Sequence, residues 1–381
     1  MYKVKKIILI VNILFLMFYS VSCTSTEEAT VTEDSKQINN LIEASKAEDI
    51  NSIQSKVVVF DDKVYSKLID EYSKMDCEAI NQIIYFESIS FFANYYILND
   101  KPDDVKELIL ILTEQAESLW DLENGGYWDS SAYPSYMRTS MYTRALADTL
   151  IFMKEDFSYN QRAYLTEILT RNSNWLCGNQ IALVKKNGDY DLSKHSESAN
   201  QNIAKISALS KAYIVLKDEK YLEELRMEFD WINSNQWFDD GNDEGYYTEH
   251  SHFDIGYSQV QMLLLNDIYF ETGRNKVRDK IEKIWNCINK KVISEEFELD
   301  TSDSFIVRDK YATLGIPSVF FYSLVDEMDI GKALIDKKYH NQLQDGLLDV
   351  SSGDSLVLTT SDYYLRIGSI LKYSKGYLEY E

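Results

Sequence analysis

The 381 residues predict a mainly α protein, an incomplete (α/α) toroid of helical hairpins with a short β-rich C-terminal tail. Three observations predict it. Long stretches carry apolar residues at helical spacing, and only 3 prolines interrupt the chain. The helical stretches come in pairs, about fifty residues to a pair, as hairpins around a ring do. Their connections alternate between short polar turns and longer loops that carry glycine and aromatic residues.

The first residues read as a targeting segment. Lys3, Lys5 and Lys6 give a positive start, Ile7 to Phe18 an apolar run, and Ser20-Val21-Ser22-Cys23 a small-residue cleavage site. The run is too short to span a bilayer comfortably, which favours a cleaved signal over a permanent helix. A cysteine closing such a segment resembles a bacterial lipobox. Residues 1–22 are therefore expected to be a lipoprotein signal peptide, with Cys23 as the lipidated mature N-terminus. That places the protein outside the cytoplasm, in the cell envelope of a bacterium, touching the membrane through its lipid anchor only. An ordinary signal peptide with a chance cysteine is the alternative. Residues 23–55 are rich in Ser, Thr, Glu, Asp and Asn and bury too little to order themselves, so they read as a flexible tether.

Residues 56–344 are expected to form the toroid. Ala79 to Leu98 has apolar residues on more than one face, as a helix buried on several sides does. Helices are then expected over Asp103 to Trp120, Tyr136 to Met153, Asn160 to Leu176, Ala199 to Leu216, Lys220 to Asn233, Ile255 to Thr272, Lys276 to Val292 and Tyr311 to Asp326. Two longer connections echo each other: Trp120 to Tyr127 and Trp237 to Tyr246 are both Trp-led, acidic and glycine-bearing. Each leads from an outer helix into an inner one, which puts both on one face of the ring, where binding and chemistry gather. Residues 345–381 alternate in short runs broken by Gly, Ser and Asp and read as strands.

A net charge of −23 argues against nucleic acid and anionic lipid as general partners. Aromatic residues make up 13%, including 28 Tyr, which suits a large core or a carbohydrate-lined cleft. Cys77, Cys177 and Cys287 are too widely spaced for a metal site and read as isolated buried thiols. No phosphate-cradling glycine loop and no nucleophile-elbow motif is present, and no cofactor is expected.

Four histidines exist: His195, His250, His252 and His340. Three of them fall in the two most polar, aromatic loops, beside Glu197, Asn200, Asn202, Tyr246, Tyr247, Glu249, Asp254 and Tyr257. A functional cluster explains the grouping, and so does a solvated loop rich in turn-forming residues. A metal at His250 and His252 lacks a third ligand at familiar spacing. Elimination on an acidic sugar needs another set: Asn, His or Arg to neutralise a carboxylate, and a Tyr or His to take the neighbouring proton. His250, Tyr257, Asn200, Asn202 and Arg308 supply those types.

These residues also resemble a family, the hyaluronate and chondroitin lyases, whose (α/α) toroid precedes β-sandwich domains. Gly126-Tyr127-Trp128-Asp129 followed by Arg144 to Leu150 resembles the family's Asn-Trp-Trp-Asp stretch and Pro-Arg-Ala-Leu continuation. Ser198 to Asn202 is similar to Gly-Ala-Asn-Arg. Glu244 to His250 resembles Asp-Gly-Ser-Phe-x-Gln-His, which carries the family's catalytic His, and Gly256-Tyr257-Ser258 resembles the Gly-Tyr-Gly that supplies its Tyr. Arg308 falls where a Gly-Arg-x-x-Ser-Arg motif would lie, and Gly126 stands where the neutralising Asn would fall. The resemblance implies β-elimination on a uronate-containing polysaccharide. His250 and Asn200 would assist neutralisation, Tyr257 act as base or acid, and Arg308 hold the neighbouring sugar. Trp128, Tyr127 and Tyr133 would stack on sugar faces, with Tyr246, His195 and Asn202 also binding substrate; for the stacking aromatics, core packing is the competing explanation. A non-catalytic glycan-binding lipoprotein is the second reading. A glycosidase with two carboxylates among Asp240, Asp243, Glu249 and Asp254 is the third.

Overall fold

The computed structural model describes residues 82–98, 103–123, 125–127, 135–178, 181–184, 190–193, 195–272, 275–294 and 298–304, all within the unit Leu41–Glu381. The expected signal peptide, tether, helix at 311–326 and C-terminal strands lie outside the described residues.

Eight α-helices are described: α1 (Gln82–Leu98), α2 (Asp103–Glu117), α3 (Tyr136–Met153), α4 (Tyr159–Gly178), α5 (Ala199–Leu216), α6 (Glu219–Asn235), α7 (Ile255–Thr272) and α8 (Asn275–Asn289). Burial sorts them into two layers. α3 buries fifteen of its 18 residues and α5 thirteen of 18. α2 buries a single stripe, Val105, Ile109, Leu112 and Ala116, at the three- and four-residue spacing of one helix face. The odd-numbered helices pack side by side, α1 on α3, α3 on α5, α5 on α7, and each even-numbered helix covers the one before it. This is an incomplete (α/α) toroid, with odd helices inside and even helices outside.

Local chemistry sets the starts of several helices. Ser135 caps α3 by accepting from Arg138 N (3.4 Å), Asp218 caps α6 through Lys220 N (3.1 Å), and Asp254 caps α7 through Tyr257 N (2.9 Å). Each such cap is worth about 1 kcal/mol. Partners in a helical hairpin run antiparallel, so the inner helices share one direction and every outer-to-inner connection reaches the same rim.

Inner helices that touch on all sides must also bury polar groups, and here they pair them. Asp148 of α3 takes Lys211 Nζ of α5 (2.5 Å) and the Ser90 hydroxyl of α1 (2.8 Å), and Arg144 of α3 pairs with Asp267 of α7.

Two features were expected as loops and are hairpins. β1 (Ile181–Val184) pairs antiparallel with β2 (Tyr190–Ser193), and β3 (Trp237–Asp239) with β4 (Gly245–Tyr247). Strands of three or four residues are too short to show a period of two. Trp237 opposes Tyr247, their rings 4.8 Å apart. The bare Cα of Gly245 lets that tryptophan in, since a Cβ there would lie 2.4 Å from its ring. Cys177 and Cys287 are thiols, Cys287 buried.

Candidate active site at the rim

The α4–α5 and α6–α7 connections meet. Ser198 and Glu249 form an isolated antiparallel bridge, and His250 N donates to Glu197 O at 3.0 Å. Below them Gln236 and Asn202 act as a clamp. Asn202 accepts from Ser196 N (2.9 Å) and donates to Ser196 O (2.8 Å) and Gln236 Oε1 (2.9 Å), while Gln236 Nε2 donates to Ser196 O (2.9 Å). Asn202 is wholly buried. Its hydrogen-bonding groups serve the loop, so the expectation that it binds substrate is corrected to a positioning role.

His250 stands at the tip of a two-residue turn. Glu249 N donates to His252 O (2.8 Å) and His252 N to Glu249 O (2.9 Å), closing a hairpin in which His250 (φ 50°) and Ser251 (φ 67°) are both left-handed. Turns of this kind normally take Asn-Gly, so the pair holds backbone strain of about 1 kcal/mol or more per residue. The imidazole is gripped on both sides: Nε2 lies 3.0 Å from Ser198 Oγ and Nδ1 lies 3.1 Å from Glu197 Oε2. Its side chain remains 46% exposed and that of Glu197 63%.

Glu249, beside His250, points inward and is wholly buried. Its Oε1 accepts from Asn200 N and from Gln261 Nε2, both at 2.8 Å. Burial pushes its carboxyl up to about 7, against the pull of Asn200, Gln261 and the nearby Ser198 hydroxyl, with Asp254 pushing further the same way. Three buried acceptor oxygens here, Glu249 Oε2, Asn200 Oδ1 and Gln261 Oε1, lack a well-formed hydrogen bond.

The structure thus brings His250, Asn200 and Glu249 together and sets Tyr257 on the first turn of α7, at the same rim. His195 lies lower in the α4–α5 connection, where it stacks on Trp231 (3.7 Å, 5°) and its Nε2 meets Glu228 Oε2 at 3.1 Å. Tyr246 is part-buried between Phe238 and Phe253, each 4.9 Å away. Tyr127 is a correction. It is wholly buried among Phe86, Trp120 and Tyr142, its hydroxyl donating to Glu117 Oε1 (2.7 Å) and accepting from Arg171 (2.9 Å), so no sugar can stack on it. Trp128, Tyr133, Arg308 and Cys23 lie outside the described residues.

Three of the four carboxylates considered as glycosidase pairs have other tasks. Asp240 closes the β3–β4 turn through Asn242, Asp254 caps α7, Glu249 holds α5 and α7, and Asp243 is exposed beside that turn. Among the described residues no group of three or more His, Cys, Asp or Glu could hold a metal ion. Glu197 was named within the polar cluster around the histidines and Ser198 as the start of the Ser198–Asn202 stretch, but neither was given a role of its own.

No family model matches the chain, and no curated protein matches it in sequence. Solved structures do match its fold. Cellobiose 2-epimerase from Bacillus thermoamylovorans has 13% identity and a TM-score of 0.52, over 75% of this chain and 87% of that one. A family 76 α-mannanase from Bacteroides thetaiotaomicron has 12% identity and a TM-score of 0.51, over 78% and 87%. A polysaccharide lyase also matches, at 12% identity over 87% and 98%, but its TM-score of 0.45 carries nothing further. The likeness establishes the toroid fold. The expected lyase family narrows accordingly to that fold.

Proposed function

We propose that this rim is a glycan-processing centre, and that its chemistry is removal of the proton beside a carboxylate in a uronate-containing polysaccharide. The observation that carries the reading is His250: an exposed imidazole on a strained turn, held at both nitrogens, at the rim where Tyr257 also begins its helix. Strain kept at a turn tip is characteristic of functional positions. The names of the two similar toroids, an epimerase and a mannanase, support a saccharide as substrate class. His250 and Asn200 would assist neutralisation, Tyr257 would move the proton, and Arg308, Trp128, Tyr133 and Tyr246 would hold sugars. Cys23 would tether the protein outside the cytoplasm.

One observation favours a second reading, a glycan-binding protein without turnover. Glu197 occupies His250 Nδ1, where a substrate carboxylate would have to compete with it.

Incubation with a panel of uronate polymers, read by ultraviolet absorbance of the conjugated product, separates the two. Elimination gives rising absorbance that His250→Ala and Tyr257→Phe each reduce at least a hundredfold. Folded protein that yields no absorbance on any polymer contradicts the lyase reading, and retention on a glycan column without turnover supports the binder.

A further inference from the structure

We propose that Ser198, His250 and Glu197 form a nucleophilic triad that hydrolyses small acyl esters, an activity separate from elimination. The geometry is that of nucleophile, base and orienting acid. Ser198 Oγ lies 3.0 Å from His250 Nε2, and the other ring nitrogen lies 3.1 Å from Glu197 Oε2. A carboxylate at Nδ1 fixes the tautomer that leaves Nε2 free to take a proton and steadies the imidazolium that follows. Ser198 is the residue preceding α5; its side chain makes no capping hydrogen bond, and its hydroxyl stands between His250 Nε2 and the Glu249 carboxyl. The positive end of that 18-residue helix lies beside Ser198, with its Asn200 N already taken by Glu249 Oε1. The chain order, acid and nucleophile adjacent and base some fifty positions later, has no bearing on the chemistry, because the triad is defined by geometry and role.

The steps balance without any added redox partner. Ser198 Oγ attacks the ester carbonyl carbon while its proton passes to His250 Nε2. The carbonyl–alkoxy bond then breaks, and the leaving alcohol takes that proton. Water, deprotonated in turn by His250, attacks the acyl-serine, releases the carboxylic acid and restores the hydroxyl. With Ser198 only 8% exposed, a small acyl group such as acetyl is the one we assign to it. Beside a carbohydrate-facing rim, O-acetyl groups on a glycan are the chemical class that fits.

The test needs no glycan, so it stands or falls apart from the lyase reading. The full-length protein is treated with a fluorophosphonate probe and assayed on p-nitrophenyl acetate. The expected result is a single label mapped by mass spectrometry to Ser198, with ester turnover. Ser198→Ala should abolish labelling and lower turnover at least a hundredfold with its melting temperature kept, and Glu197→Gln should lower turnover about tenfold. Wild-type protein that takes no label, or a label that persists in Ser198→Ala, overturns the proposal.

Discussion

The seam between α5 and α6 and the floor of the rim each bury a glutamate completely, Glu228 in the first and Glu249 in the second. Burial pushes both carboxyls upward, but their neighbours differ. Glu228 faces His195 (3.1 Å) and Lys205 (2.8 Å), which overcome the burial and hold it down to about 2. Among the described residues Glu249 meets no cation. It accepts from two neutral N–H groups, with the neutral Ser198 hydroxyl and Asp254 close by, so burial wins and the carboxyl rises to about 7. The same residue type at the same depth is locked ionised in one place and left able to change its charge in the other. Paired burial of this kind builds structure; unpaired burial beside an exposed histidine is the arrangement the proposed proton transfer would need.

The largest effect expected from this contrast is on the seam. Lys205→Met removes the cation between Glu224 and Glu228, all three buried, and should lower unfolding stability by about 3–5 kcal/mol in a denaturant titration. A loss under 1 kcal/mol would mean the seam is not held by its charge pairing.

The next effect is on pH dependence, where the two sites should slope in opposite directions. Glu249, raised in the folded state from 4.5 to about 7, keeps its proton longer in the fold than in the unfolded chain. Its ionisation therefore removes stability as pH rises from about 4.5 to 7, by at most about 3 kcal/mol. Glu228, lowered from 4.5 to about 2, contributes stability above pH 4.5 that is lost as pH falls through about 2. Glu249→Gln should flatten the first slope and leave the second, which urea midpoints across pH 2 to 8 will show. A wild-type curve already flat between pH 4.5 and 7 counts against an unpaired Glu249.

The smallest effect concerns the turn. Ser251→Gly relieves a left-handed serine (φ 67°) and should raise stability by about 1 kcal/mol in thermal melts. A loss instead of a gain would indicate that Ser251 is not left-handed in solution.

Much of the fold was legible in the sequence, and for identifiable reasons. The predicted ends of α3, α5 and α7 coincide with those observed, because polar capping positions stand before continuous apolar stretches. The hairpin β3–β4 was missed because its pairing depends on Trp237 meeting Tyr247 rather than on any local pattern. Of the site, the histidine-bearing loops were visible as a composition. Their contact was not, since the Ser198–Glu249 bridge joins residues fifty-one apart. Tyr127 shows the opposite failure. An aromatic residue after two glycines looks the same in sequence whether it faces a sugar or, as here, Phe86 and Tyr142.

The claim beneath these expectations is that the rim floor holds a carboxyl free to change its charge near neutrality. Carbon-13 NMR of labelled glutamate side chains, followed from pH 3 to 9 with Glu249→Gln to assign the signal, measures it directly. The account predicts a midpoint near 7 for Glu249, with Glu228 ionised throughout. A Glu249 midpoint at the ordinary carboxylate value would contradict it.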